Sequence, residues 1–267
     1  MMERLGISNI AWASDDELNV AGLLTKMGIS FVEIAPTKIN PDLSKLSAEV
    51  LLAYRQFWED KNIKVHAMQS LFFGQKELNL FGSTQQRLDF IAHFKRVITV
   101  GASLGAKILV FGSPKNRVRG QINLSDAMTQ AKDVFGTIAN YALSKNICVC
   151  IEANPIEYGC DFINTTDEAA QLVNEINCHG FGLHLDIGTM LINGEDIEKN
   201  LIKYGSVARH CHLSAPQLIP LATYTANVKY KDIYNLCIKH LSCLISIEMK
   251  LSPDPFTTVR ESLELFK

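Results

Sequence analysis

Short apolar, β-branched runs alternate with longer segments of helical period from one end of the chain to the other. Residues 5–10, 30–35, 63–68, 107–111, 147–152, 180–186, 207–213 and 243–248 read as eight strands. Each is too short for a stable helix. Between them, residues 15–27, 44–61, 84–104, 125–145, 166–176 and 229–240 carry apolar side chains at helical spacing. Asn164-Thr165-Thr166-Asp167-Glu168 supplies an N-terminal cap for one of these helices.

Strand followed by helix, repeated in units of about 30 residues, is the outline of a closed parallel (β/α)₈ TIM barrel. An open doubly wound sheet is the competing arrangement. It usually carries a Gly-rich phosphate loop after its first strand, and Ser8-Asn9-Ile10-Ala11-Trp12-Ala13 has none. No linker, charge block or low-complexity tract interrupts the series, so residues 1–267 are expected to form a single domain. The longest connections, residues 69–83 and 112–123, leave strands three and four at the end where barrel active sites form. They are candidate lid or substrate loops.

Composition narrows the function. A chain of 267 residues that is 47% hydrophobic and 20% charged has ample apolar surface for a large core. With 26 Lys+Arg against 28 Asp+Glu the net charge is -2, so no general positive field gathers phosphates and no nucleic-acid partner is expected. The seven cysteines are odd in number and show no C-x-x-C pair. That usage points to reduced, buried thiols in a cytoplasmic protein. The N-terminus lacks an apolar signal-peptide core, and no apolar stretch reaches about 18 residues, so no membrane association is expected. Self-association into a homo-oligomer is left open.

The chemistry gathers at the strand ends. Strand five ends Cys-Val-Cys-Ile-Glu152, strand six Gly-Leu-His-Leu-Asp186, strand seven Arg-His-Cys-His212 and strand eight Leu-Ile-Ser-Ile-Glu248. In a barrel these positions face the catalytic mouth. Each carboxylate follows a run too hydrophobic for a solvated strand, so its charge is buried unless it is paired or bound to a cation. Three carboxylates and one imidazole make a hard, oxygen-rich site suited to Mn²⁺, Mg²⁺ or Co²⁺. A metal-free network of ion pairs is the alternative.

These residues belong to a larger ordered set: Gly6-Ile7-Ser8 with Trp12, Phe31-Val32-Glu33-Ile34, Ile151-Glu152 with Asn154-Pro155, Leu185-Asp186 followed by Gly188, His210-Cys211-His212, and Ile247-Glu248. Over essentially its whole length the chain resembles the xylose isomerase-like TIM-barrel superfamily, which contains sugar epimerases, hydroxypyruvate isomerase, inosose and 3-dehydroshikimate dehydratases, and endonuclease IV. The resemblance implies one divalent metal ion, Mn²⁺ first with Mg²⁺, Co²⁺ or Zn²⁺ admitted, held by Glu152, Asp186, His212 and Glu248. It further implies that Glu152 and Glu248 act as acid and base on a small sugar or sugar phosphate, isomerising or epimerising it through an enediolate. Metal-dependent dehydration on the same site, or an inactive sugar-binding barrel, is the alternative. Many members carry His three residues after the strand-six Asp, and here Thr189 stands there. Endonuclease IV needs a three-metal cluster. Strand four ends Val110-Phe111-Gly112-Ser113 without the required His, so one metal is expected.

Further residues have two readings. Glu33 binds substrate or orients a neighbour, or forms a plain salt bridge. His66 touches a hydroxyl, or is a core histidine. His184 and His210 share strand parity with Asp186 and His212, which puts them one layer deeper, where they are expected to support the ligands or fill the core and not to ligate. Lys115, Arg117 and Arg119 grip a substrate anion, or are solvated. Glu157 and Tyr158 are candidate sugar contacts, Thr189 a hydrogen-bond donor, and Trp12 with Phe72 an apolar wall.

Overall fold

The computed structural model describes residues 2, 4–224 and 228–267. Among them the strands β1 (Leu5–Ser8), β2 (Phe31–Ile34), β3 (Lys64–Met68), β4 (Ile108–Phe111), β5 (Cys148–Ile151), β6 (Phe181–Asp186), β7 (Ala208–Ser214) and β8 (Ile245–Glu248) close into a barrel in chain order. Every neighbouring pair is parallel, including β1 with β8. Outside them run the helices α1 (Glu17–Met27), α2 (Ala48–Glu59), α3 (Thr84–Leu104), α4 (Leu124–Ser144), α5 (Thr166–Ile176), α6 (Ile187–Asn193), α7 (Ile197–Tyr204), α8 (Tyr230–His240) and α9 (Pro255–Glu264).

Alternation along each strand explains the two-sided interior. Ile7, Val32, Leu109, Val149, Leu183, Leu213 and Ile247 point outward into the large core beneath the helices. The inward positions divide into two territories. Ala67, Ile108, Val110, Cys148 and Cys150 form a separate small apolar cluster on the β3 to β5 side. On the opposite side the interior is polar, with Glu33, His184, His210, His212 and Ser246 all buried. A barrel interior is ordinarily filled by branched apolar side chains. Substituting carboxylate and imidazole groups there is costly without partners, so the polar half requires a chemical explanation.

The helix ends follow local rules. Thr165 caps α5 by accepting from the Glu168 main-chain N–H, while Glu168 accepts in return from the Thr165 N–H at 3.2 Å. Such a reciprocal cap contributes about 1 kcal/mol. Asp186, the last residue of β6, is also the cap of α6, accepting from Thr189 N at 2.5 Å. Strand six therefore turns straight into a short helix that the apolar periodicity did not predict.

The two long connections are tied to each other over the mouth of the barrel. Asn116 Nδ2 donates to the carbonyls of Gln75 and Leu78, both at 2.7 Å, and Leu80 N donates to Asn116 O at 2.9 Å. Phe72 anchors the first loop, its ring 4.8 Å from those of Phe90 and Phe94 and 5.1 Å from Phe111. Burial of one such ring stabilises by about 1.5–3 kcal/mol, enough to fix the loop's base. All seven cysteines are free thiols. Among the described residues no helix is long and apolar enough to cross a membrane.

Candidate active site

Strand register brings the late strand ends to one level. Asp186 pairs with His212, His212 with Ser246, and Ser214 with Glu248. Glu152 follows β5 directly and points to the same place. Gly112 opposite makes this approach feasible, since a Cβ there would lie only 2.6 Å from Glu152 Oε2. Glu152, Asp186 and Glu248 form the floor of a cavity of about 430 Å³ whose walls include Phe72, Phe73 and Leu218. That volume is in the range of small-molecule sites.

His212 lies just behind this floor, fully buried. Its Nδ1 is 3.2 Å from Glu248 Oε2 and 3.8 Å from Asp186 Oδ2, while its Nε2 is 2.9 Å from Glu33 Oε2. Glu33 thus stands on the far side of the ring from the cavity, also 3.7 Å from His210 Nε2. Asp186 is held on both oxygens. Thr189 N donates to Oδ1, and Ser214 Oγ donates to Oδ2 at 2.8 Å while accepting from Gly188 N at 2.8 Å.

Charge is unevenly matched. Burial, then the nearby Asp186 and Glu248 carboxylates, push the Glu152 carboxyl well above its usual range. Burial and Glu248 raise Asp186 in the same way. Burial alone would lower the His212 ring, but Glu33 and Glu248 hold it well above the usual imidazole range. Burial would likewise raise Glu33, yet His212 and His210 keep it well below the carboxylate range. Among the described residues no Lys or Arg forms an ion pair with Glu152, Asp186 or Glu248.

This donor set fits a divalent cation. Ligand atoms of Asp186, His212 and Glu248 lie within 4.8 Å of one another, as do those of Glu152, His184 and His212. With Nε2–H donated to Glu33, the ring offers Nδ1 toward the carboxylates, the arrangement in which a second carboxylate orients a ligating imidazole.

Other residues singled out in the sequence lie elsewhere. Arg117 is 0% exposed and does not line the cavity; its Nη2 donates to the main-chain carbonyl of Glu152 at 2.7 Å, and the guanidinium sits over the Phe111 ring. Arg119 donates to the carbonyls of Asp161 and Ile122 at 2.9 and 2.7 Å. Of the three cations in that loop, Lys115 lines the cavity, joined there by Lys76. Trp12 is fully buried and Glu157 is exposed; neither lines the cavity, whereas Tyr158 does. Thr189 is buried, its hydroxyl donating to Ala153 O at 3.3 Å. His66 lies deeper, 5.8 Å from the ring of Phe31 at the start of β2. Sequence reasoning passed over Ser214 and Asn116, whose roles depend on contacts between distant segments.

Solved structures share this architecture across nearly the whole chain. The apo 3-keto-D-glucoside 4-epimerase YcjR from E. coli superposes with a TM-score of 0.81 at 14% identity, covering 99% of this chain and 98% of that one. A D-psicose 3-epimerase determined in the presence of D-fructose gives 0.75 at 16% identity, covering 98% and 95%. The IOLI protein with a binding zinc atom gives 0.72 at 20% identity, again covering 98% and 95%. At these identities the likeness is one of fold. No curated protein matches by sequence. The family model described as xylose isomerase-like TIM barrel matches residues 22–227. The chain belongs to the xylose isomerase-like TIM barrel family.

Proposed function

We propose that this protein is a divalent-metal-dependent isomerase or epimerase of a small sugar or sugar phosphate. The observation that carries the reading is the cavity floor, where Glu152, Asp186 and Glu248 converge with no Lys or Arg ion-paired to them among the described residues. Asp186, His212, Glu248 and Glu152 would hold the ion. Three carboxylates and one imidazole suit Mn²⁺, Mg²⁺ or Co²⁺ and also accept Zn²⁺. When bound, it polarises a substrate carbonyl and the neighbouring hydroxyl and offsets the charge of an enediolate.

The chain's own residues supply the rest. β5 and β8 are separated by β6 and β7 in the barrel, so Glu152 and Glu248 reach the floor from its two flanks. One removes the proton α to the carbonyl and the other delivers it, to the same carbon for epimerisation or to its neighbour for isomerisation. Phe72 and Phe73 offer apolar faces to the carbon skeleton, and Tyr158 a hydroxyl. The D-psicose and 3-keto-D-glucoside epimerases of the same fold act on sugars by name, which supports this substrate class.

The test is a panel of ketoses, aldoses and inososes in deuterated water with added Mn²⁺, followed by NMR. A product of unchanged mass with solvent deuterium at the α-carbon is expected. Loss of one water would instead make the protein a dehydratase, and neither exchange nor conversion across the panel would make it a binding barrel.

A further inference from the structure

Beneath the cavity floor lies an imidazole that the proposed site does not use. His184 is two residues before Asp186 on β6, is 2% exposed, and has no hydrogen-bond partner among the described residues on either ring nitrogen. A buried polar ring left this way is costly to keep, and apolar residues fill the equivalent layer in most barrels. The His184 ring stands edge-on to that of His212, with centroids 4.1 Å apart. A ligand atom of His184 falls within 4.8 Å of those of Glu152 and His212.

We propose that His184 supplies a second nitrogen to the ion held by Glu152 and His212, so that the site favours Zn²⁺ or Co²⁺ over Mn²⁺ and Mg²⁺. This rests on the metal reading above. Apart from Glu33 with His210, the candidate donor groups that share His212 are Asp186 with Glu248 and Glu152 with His184. An ion between them draws on two imidazoles as well as carboxylates. Each added nitrogen donor favours borderline ions such as Zn²⁺ and Co²⁺ and discriminates against Mn²⁺ and Mg²⁺, which prefer oxygen. His210 stands apart from this role: its Nε2 already meets Ser246 Oγ at 3.1 Å and faces Glu33.

Histidine ring nitrogens labelled with ¹⁵N report ligation directly, without any assay of turnover. Zn²⁺ added to the metal-free wild-type protein is expected to shift a ring nitrogen of both His184 and His212. In His184→Gln, and in His184→Leu should the amide be poorly accommodated, a single ring should shift. The Zn²⁺ affinity should fall about tenfold or more while that for Mn²⁺ changes much less. If only His212 shifts in the wild type and both variants bind Zn²⁺ as tightly as it does, the His184 assignment is overturned and the metal site stands. If the wild type binds neither Zn²⁺ nor Mn²⁺, the metal reading itself is overturned together with this one.

Discussion

Glu33 Oε2 and His212 Nε2 lie 2.9 Å apart, joining residues 179 positions distant in the chain, with both side chains fully buried. The contact fixes which nitrogen of His212 faces the cavity. Glu33→Gln retains the volume and removes the charge, and its amide can present either an acceptor or a donor to the ring. The affinity for the divalent ion is expected to fall about 10- to 100-fold with the fold intact. Competition with a chelating dye, alongside circular dichroism, measures both. Unchanged affinity would show that Glu33 does not orient the ring.

Gly112 gives a test of the floor that leaves every donor in place. A Cβ there would sit 2.6 Å from Glu152 Oε2 and 2.9 Å from its Cδ, so Gly112→Ala displaces the carboxylate, which is the flexible end of a side chain. The expected outcome is a stability loss of less than about 1 kcal/mol together with reduced ion content per chain. Thermal melts and elemental analysis of the same sample separate the two. Full ion content in Gly112→Ala would remove Glu152 from the ligand set.

Much of this architecture was legible in the chain because barrel geometry imposes period two on the strands and puts reactive residues at their last positions. That rule singled out Glu152, Asp186, His212 and Glu248; Asp186 and Glu248 are the last residues of β6 and β8, whereas β7 runs two residues past His212 to Ser214. Strand limits differed at the ends: residues 9 and 10 turn into a short 3-10 helix after Ser8, and Glu152 lies just past β5. Three helices, α6, α7 and α9, were not anticipated. α6 and α7 span only 7 and 8 residues, too few to display a helical period, and Asp186, Asp196 and Asp254 cap the three helices. The direction of Arg117 was illegible, since a loop arginine turns inward only when a carbonyl and an aromatic ring await it. The partnership of Glu33 with His212 was equally hidden, being a contact across the barrel.

His66 offers a pH signature. Burial, then His210, lower its imidazole from the ordinary 6.5 to about 4, although Glu33 pulls the other way and Lys107 adds to the fall. Between those values the unfolded chain binds a proton that the folded chain refuses. His66 therefore costs no stability above pH 6.5, and stability drains away as pH falls from 6.5 toward 4. Allowing for its partial exposure, the loss is about 2 kcal/mol. Urea titrations of metal-free wild-type and His66→Gln proteins at neutral and acid pH check it. The variant should lose less on acidification, and an equal loss in both would assign the acid sensitivity elsewhere.

The cations at the rim bear on substrate charge. Lys76 and Lys115 are exposed and line the cavity, whereas Arg119 is occupied by main-chain carbonyls. Replacing both lysines with Ala should raise KM for a ketose phosphate about tenfold and leave a neutral ketose unaffected. Arg119→Ala should leave both KM values alone and lower stability by about 1–3 kcal/mol. A KM rise confined to Arg119→Ala would reverse this assignment.

The acid and base pair is tested by isotope exchange. Glu152 and Glu248 come from strands on either flank of Asp186 and His212, so under the proposed mechanism each would meet one side of a bound substrate carbon. Glu152 also sits where burial and two carboxylates raise its proton affinity, which suits a group that must take up and release a proton. Either Glu→Gln change should abolish net conversion, with turnover lowered by about 10²-fold or more. Exchange of the α-proton should survive in each variant from the single epimer, or the single isomer, that the remaining carboxylate can reach. Running both directions in deuterated water, with ion content measured beside each, distinguishes loss of a proton carrier from loss of a ligand. Retained ion with exchange from opposite partners in the two variants assigns one carboxylate to each side. Near wild-type turnover in either variant would remove that glutamate from proton transfer and require a single carrier serving both faces.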